Sequence, residues 1–119
     1  MNTDSRKGVE MDRKIFGELG EKFAAGLLEA DGYSVLDRNY RCKLGEVDIV
    51  CGKGAELCFV EVKTRKNTSM GYPAEAVNSN KLRHIKNVAE YYVQNKKIKG
   101  KFISFKVVEI IAGVISDIV

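Results

Sequence analysis

The feature that most constrains the fold is a pair of short apolar segments joined by a glycine turn. Residues 44–52 read LGEVDIVCG, and residues 55–64 read AELCFVEVKT. Both segments are rich in β-branched residues and bounded by glycine, as strands are. Gly52-Lys53-Gly54 lies between them and is typical of a turn. The two segments therefore predict a β-hairpin.

Alternation of side chains sorts this hairpin into an acidic face and an apolar face. A turn centred between residues 53 and 54 would pair Asp48 with Phe59. That register places Asp48, Glu61 and Lys63 on one face. A slip of one residue would drive Asp48 among core residues, so hydrophobic patterning selects this register. The opposite face would be entirely apolar: Val47, Ile49, Cys51, Cys58, Val60 and Val62.

The acidic face is predicted to hold a divalent cation. In the predicted register Glu61 lies opposite Glu46 and diagonal to Asp48. Two carboxylates about 4 Å apart repel by roughly 4 kcal/mol at an effective dielectric of 20, and a cation or a shared proton relieves this. Mg²⁺ favours one or two carboxylates with water and phosphate oxygens, and Lys63 would lie at the rim. The alternative is a cross-strand salt bridge on a solvated face.

A fourth acid is predicted on the first helix. Glu21 falls on the stripe Gly17, Glu21, Ala24 and Leu28, at the edge of the apolar arc. Small residues beside it would let the helix approach a sheet closely, so Glu21 would point toward the hairpin acids. The alternative is a glutamate at the edge of the core that extends to water.

The whole chain is expected to form one α/β domain over residues 12–119, preceded by a flexible tail over residues 1–11. Hydrophobic periodicity and turn signals predict the order α-β-β-β-α-β, with a mixed sheet and helices packed on it. Besides the hairpin, the predicted elements are a helix over 12–31, a strand over 33–38, a polar loop over 67–73, a helix capped by Ser79, a strand over 103–111 and a fifth strand over 114–119.

Composition favours a cytoplasmic protein and is compatible with a polyanionic partner, although many basic proteins bind no nucleic acid. No apolar run approaches the roughly 20 residues of a membrane helix, and the polar N-terminus lacks the apolar region of a signal peptide. Three cysteines without a CxxC pair suit a reducing compartment and argue against structural zinc. The net charge is +4, and basic residues cluster around 63–66 and 81–86. Each cluster on its own is also consistent with a solvated face.

Several ordered motifs resemble the YraN family of uncharacterised bacterial proteins, which is similar to the restriction-endonuclease-like PD-(D/E)XK superfamily and to archaeal Holliday junction resolvases. The resemblance runs from about Gly17 to Ala89. The motifs are Gly17-Glu18-Leu19-Gly20-Glu21, Gly32-Tyr33, Arg38-Asn39-Tyr40-Arg41, Gly45-Glu46-Val47-Asp48, Phe59-Val60-Glu61-Val62-Lys63-Thr64-Arg65, and Glu75-Ala76-Val77 with Lys81.

This resemblance implies an αβββαβ endonuclease-like core with a site for Mg²⁺ or Mn²⁺. Asp48, Glu61 and the Val62 carbonyl would be ligands, Lys63 would assist the hydrolytic water, and Glu21 would be the helix acid. The family usually has Arg-Phe-Asp-Val-Val in its last strand, whereas this chain has Ser104 and Lys106 in place of the Arg and Asp. Any function of that strand is therefore in question.

The leading functional hypothesis is Mg²⁺-dependent hydrolysis of phosphodiester bonds in DNA, including branched or repair intermediates. Phosphates would be neutralised by Arg65, Lys66, Lys81 and Arg83. The alternatives are a non-catalytic nucleic-acid-binding module and a protein-interaction subunit that keep the same fold. Junction resolvases of this fold work as dimers, so a homodimer is one option by analogy, and the sequence itself leaves the oligomeric state open.

Overall fold

The chain forms an α/β fold in which a four-stranded mixed sheet carries one helix on each face. The computed structural model describes the backbone of residues 3–65 and 79–111, and the side chains of residues 14–65 and 81–111. The elements are α1 (Thr3–Ala30), β1 (Ser34–Cys42), β2 (Gly45–Lys53), β3 (Glu56–Arg65), α2 (Ser79–Asn95) and β4 (Phe102–Ile111). This confirms the predicted αβββαβ order and fold class.

The sheet has the order β1-β2-β3-β4. The first three strands form an antiparallel meander, and β4 pairs with β3 in parallel. A parallel neighbour requires a crossover, which the segment containing α2 supplies. The predicted polar loop over 67–73 and the predicted fifth strand over 114–119 lie outside the described residues.

Helix α1 packs through small residues, which set its distance from the sheet. Its buried side chains are Ala24, Ala25 and Leu28. A Cβ at Gly20 would overlap the Thr64 side chain of β3, so a glycine is needed for this close approach. The helix begins at Thr3, earlier than the predicted start at Asp12. The backbone of the predicted tail is thus helical from Thr3 onward, and its flexibility stays a prediction.

Two apolar clusters, one on each side of the sheet, form the core. The first packs α1 against Ile49, Cys51, Cys58 and Val60. The second packs α2 against the other face, and its buried members are Val47, Val50, Leu57, Phe59, Ile85, Val88, Ala89 and Tyr92. The two hairpin cysteines therefore serve as small core residues.

The hairpin register differs from the prediction by two residues. Lys53 pairs with Glu56, so the turn consists of Gly54 and Ala55, and Val50 rather than Asp48 lies opposite Phe59. Gly54 supports this turn with a φ of +59°, a conformation that glycine adopts without strain. An even shift preserves the faces of the strands, so the hydrophobic pattern alone does not distinguish the two registers.

The prediction that Val47 lies on the same face as Ile49 is wrong. Val47 packs in the α2 cluster, whereas Ile49 packs in the α1 cluster. Regular alternation would put both on one side, so the strand departs from it at Asp48, the residue between them. The facing segment of β1 is also irregular, because Asn39 has a φ of +53°.

Candidate metal centre and nucleic-acid interface

The site is built where β2 and β3 stop pairing regularly. The ladder between these strands runs as far as the pair Ile49 and Val60. One step beyond it, the Val62 N–H donates a hydrogen bond of 2.7 Å to Asp48 Oδ2. The Asp48 side chain thus takes the role of a backbone acceptor and is held at the junction between the strands.

The structure brings Asp48 and Glu61 into direct contact, as the acidic-hairpin hypothesis requires. Burial raises the pKa of Asp48 to about 7, although the Val62 N–H opposes the rise, and the Glu61 charge and hydrogen bond add to it. Below about pH 7 the Asp48 carboxyl therefore holds a proton and donates a hydrogen bond to Glu61. This shared proton is one of the two ways in which close carboxylates relieve their repulsion.

Glu61 is the buried anion of the site, with 8% of its surface exposed. Burial by itself would raise its pKa, but hydrogen bonds from Lys81 and Asp48, with the Lys81 and Lys63 charges, bring it below the usual value. Lys81 Nζ forms an ion pair with Glu61 Oε2, and Lys63 Nζ lies 3.5 Å from the same oxygen. Lys63 is thus at the rim of the site, as predicted.

Lys81 as the partner of Glu61 is a contact that sequence reasoning missed. The sequence shows that Lys81 lies near the start of a predicted helix. A single sequence does not show that this end of the helix contacts β3. The pKa of Lys63 is lowered, mainly by its contact with Lys81 and secondly by burial. Two ammonium groups therefore crowd one carboxylate oxygen.

Glu21 reaches the site only electrostatically in this structure. Its charge contributes to the raised pKa of Asp48, which shows that α1 brings it close. Its carboxylate lies 3.9 Å from Arg38 on β1, a partner that the sequence analysis did not identify. Among the described residues, no group of three or more His, Cys, Asp or Glu side chains is placed to hold a metal.

Glu46 does not lie opposite Glu61 as predicted. Its carboxylate forms a 2.9 Å ion pair with Arg41 across the β1–β2 hairpin, and both side chains are largely exposed. The difference follows from the two-residue register shift, which moves Glu46 toward the end of the hairpin. The repulsion inferred between Glu46 and Glu61 is therefore replaced by the contact between Asp48 and Glu61.

The donor set fits a divalent cation of the Mg²⁺ type. Two carboxylates in contact, one of them protonated, are a pair from which a cation displaces a proton. Mg²⁺ takes its remaining ligands from water and phosphate and does not need a third acid. Asp48 and Glu61 would hold the ion, and the Val62 carbonyl stays a predicted ligand.

A cavity of about 340 Å³ opens beside Glu61. It lies between the β1–β2 hairpin and the first turns of α2. Gly45 has a φ of +138°, and a Cβ there would come within 3.3 Å of Val88, so its glycine allows the hairpin to approach α2. The cavity is lined by Leu44, Gly45, Glu46, Glu61, Lys81, His84 and Ile85.

The predicted phosphate-binding residues differ in what they contact. Arg83 is exposed on α2, and Arg65 ends β3 with partial exposure and has contacts of its own. Lys81 is engaged by Glu61. Lys66 lies outside the described residues.

In the part of the chain that the structure describes, neither helix is long and apolar enough to span a membrane.

Comparison with known proteins places the chain in one family. Residues 20–110 match the model of the uncharacterised protein family UPF0102. A UPF0102 protein of Caldicellulosiruptor saccharolyticus is 46% identical over 91% of this chain and 92% of its own. One from Dictyoglomus thermophilum is 48% identical over 85% and 86%. One from Clostridium perfringens is 42% identical over 82% and 80%. This chain therefore belongs to the uncharacterised protein family UPF0102.

Proposed function

We propose that this protein is a Mg²⁺- or Mn²⁺-dependent nuclease that hydrolyses phosphodiester bonds in DNA. The observation that carries the proposal is the buried contact between Asp48 and Glu61, with two lysines on Glu61 and an open cavity alongside. A bound divalent cation would polarise a phosphate oxygen and lower the pKa of water. Buried acid pairs with perturbed protonation are characteristic of functional sites.

The residues of this chain have distinct roles in that proposal. Asp48 and Glu61 hold the cation, and the Val62 N–H fixes the orientation of Asp48. Lys63 orients the attacking water and stabilises negative charge that develops on the phosphoryl group. Glu21 acts from α1 through its effect on the charge of Asp48.

Basic residues around the site would neutralise the phosphates that flank the scissile bond. Arg83 on α2, Arg65 at the end of β3, and Lys66 after it would supply this positive charge. Binding would therefore weaken as salt rises, with a slope set by the number of phosphates contacted. We expect recognition of backbone shape rather than base sequence.

The test is cleavage of labelled single-stranded, duplex and four-way-junction DNA with Mg²⁺, with Mn²⁺ or with a chelator. We expect cleavage only with a divalent cation, and a loss of about 100-fold or more in Asp48→Asn, which lacks a ligand charge. Glu29→Gln is the control, because Glu29 is an exposed acid on α1 that does not line the cavity, and it should retain the wild-type rate. The absence of cleavage on every substrate with both ions would refute the nuclease proposal.

A second candidate is a nucleic-acid-binding protein without catalysis. The ion pair of Glu61 with Lys81 favours it, because an acid already neutralised by protein cations has less need of a metal. Fluorescence anisotropy with labelled DNA separates the two: salt-sensitive binding without turnover, unchanged by Glu61→Gln, would identify this second function. Arg83→Ala should reduce the salt slope by about 1 in either case.

A further inference from the structure

We infer that Lys81 occupies the cation position on Glu61, and that a divalent cation displaces the ammonium toward nucleic-acid phosphate in the adjacent cavity. The inference rests on the proposed function, because it assumes that Asp48 and Glu61 are metal ligands. It assigns Lys81 a positioning role with two alternative partners, rather than a phosphate contact alone.

Lys81 already contacts the Glu61 oxygen that a cation would use. Glu61 is 8% exposed, so it presents little carboxylate surface to solvent. The oxygen that Lys81 Nζ contacts, Oε2, is also the one that lies 3.5 Å from Lys63 Nζ. A cation that uses this oxygen as a ligand therefore competes directly with the Lys81 ammonium.

A bound divalent cation would leave the site with an excess of positive charge. Once a cation has displaced the proton on Asp48, the Asp48 and Glu61 carboxylates carry two negative charges, which Lys63 and Lys81 together balance. A divalent cation added to this set leaves an excess of two positive charges in a partly buried site, where repulsion is stronger than in water. Removal of one ammonium and arrival of a phosphate relieve most of that excess.

Of the two lysines, Lys81 is the one that can move toward the cavity. Lys63 lies two residues from Glu61 on the same strand, so its backbone is fixed relative to the acids. Lys81 comes from α2 and lines the cavity of about 340 Å³ together with His84. At roughly 30 Å³ per water molecule, that cavity has the volume of about ten waters, which is enough for an ammonium and a phosphate group to meet.

The inference gives Lys81→Met opposite effects on the two ligands. Removal of the ammonium should tighten Mn²⁺ binding in the absence of nucleic acid by about tenfold, the effect of losing a partly buried competing charge. The same substitution should weaken DNA binding in the presence of the cation. A lysine that only stabilises the fold, or only binds phosphate, would not tighten Mn²⁺ binding.

Isothermal titration of the full chain with Mn²⁺ measures the first effect, and anisotropy of labelled DNA with Ca²⁺ measures the second. Lys86→Met is the matched control, because Lys86 is an exposed lysine on the same helix and does not line the cavity; its Mn²⁺ affinity should stay within about twofold of wild type. Lys81→Gln, checked by circular dichroism, provides a second variant should Lys81→Met fold poorly.

The outcomes separate this inference from the proposed function. Mn²⁺ binding that is unchanged or weaker in both Lys81 variants overturns the inference and leaves the metal site in place. No Mn²⁺ binding to wild type or variants overturns both. Tighter Mn²⁺ binding in the variants, with no cleavage of any substrate by wild type, supports the inference and refutes the nuclease.

Discussion

Asp48→Asn should make the metal-free protein more stable above neutral pH. The folded state raises the pKa of Asp48 from 3.8 to about 7, so it binds a proton that the unfolded chain has already released. Stability from this group is complete below the unfolded pKa and is lost as pH rises toward the folded pKa. Glu61, whose pKa is lowered, contributes an opposite slope only at the acidic end of this window, where its carboxyl in the unfolded chain still binds a proton, and it does so in wild type and variant alike.

The magnitude follows from the shift. Raising the pKa from 3.8 to about 7 corresponds to about 4 kcal/mol at 1.36 kcal/mol per pH unit. Asp48 is only partly buried, so solvent screening reduces this to about 2 kcal/mol. The wild-type free energy of unfolding should therefore fall by that amount between about pH 4 and pH 7, with most of the loss measurable above about pH 5.

Asparagine removes this dependence and keeps the contacts. Its Oδ1 accepts the Val62 N–H, and its Nδ2 donates to Glu61 in place of the shared proton. Urea unfolding with a chelator should show equal stabilities of wild type and variant near pH 4, and a variant more stable by about 2 kcal/mol near pH 8. Glu46→Gln should follow the wild-type profile. Parallel profiles for wild type and Asp48→Asn would refute the proton-sharing argument.

Three further predictions concern the fold around the site. Phe59→Ala should lower the free energy of unfolding in urea by about 3–5 kcal/mol, because Phe59 is fully buried. Phe23→Ala should lower it by less than about 1 kcal/mol, because Phe23 is 58% exposed. Equal losses would contradict the assigned core. Gly45→Ala should lower the melting temperature more than Gly54→Ala, because both have positive φ but only Gly45 faces Val88; the reverse order would contradict the packing of the hairpin on α2. Tyr92→Phe should cost about 1 kcal/mol by losing its 2.8 Å hydrogen bond to Asp37, and an unchanged unfolding midpoint would exclude that bond as a source of stability.

Local pattern was sufficient to predict the fold, because each element has its own periodicity and boundary residues. The alternating segments around Gly54 predict a hairpin, and the apolar spacing in α2 predicts a helix that buries Ile85, Ala89 and Tyr92. Leu82 has the same spacing but is 47% exposed, at the start of the helix one turn before Ile85.

The helix α1 shows where periodicity is insufficient. Its large apolar residues recur at helical spacing, yet Leu19, Phe23 and Leu27 are about half exposed. The sheet instead contacts the stripe of small residues that also carries Glu21. Hydrophobic size marks a face that can be buried, but close helix–sheet packing selects the face whose side chains are smallest.

Side-chain partners were the least predictable part of the site. The grouping of Asp48, Glu61 and Lys63 follows from alternation along neighbouring strands, and the structure brings them together. Lys81 and Arg38, which pair with Glu61 and Glu21, come from elements whose placement depends on the whole fold. A single sequence contains the charges but not the distances between elements.

The irregularity at Asp48 joins the fold and the candidate chemistry. A regular strand would leave the Val62 N–H to a backbone carbonyl and would turn Val47 to the side of Ile49. Here the Asp48 side chain accepts that N–H, and Val47 packs toward α2 instead. Burial of Val47 therefore helps to hold Asp48 beside Glu61 against the repulsion between the two acids. Since the unsatisfied N–H of Val62 would be costly, the same hydrogen bond secures both the strand pairing and the position of the carboxylate.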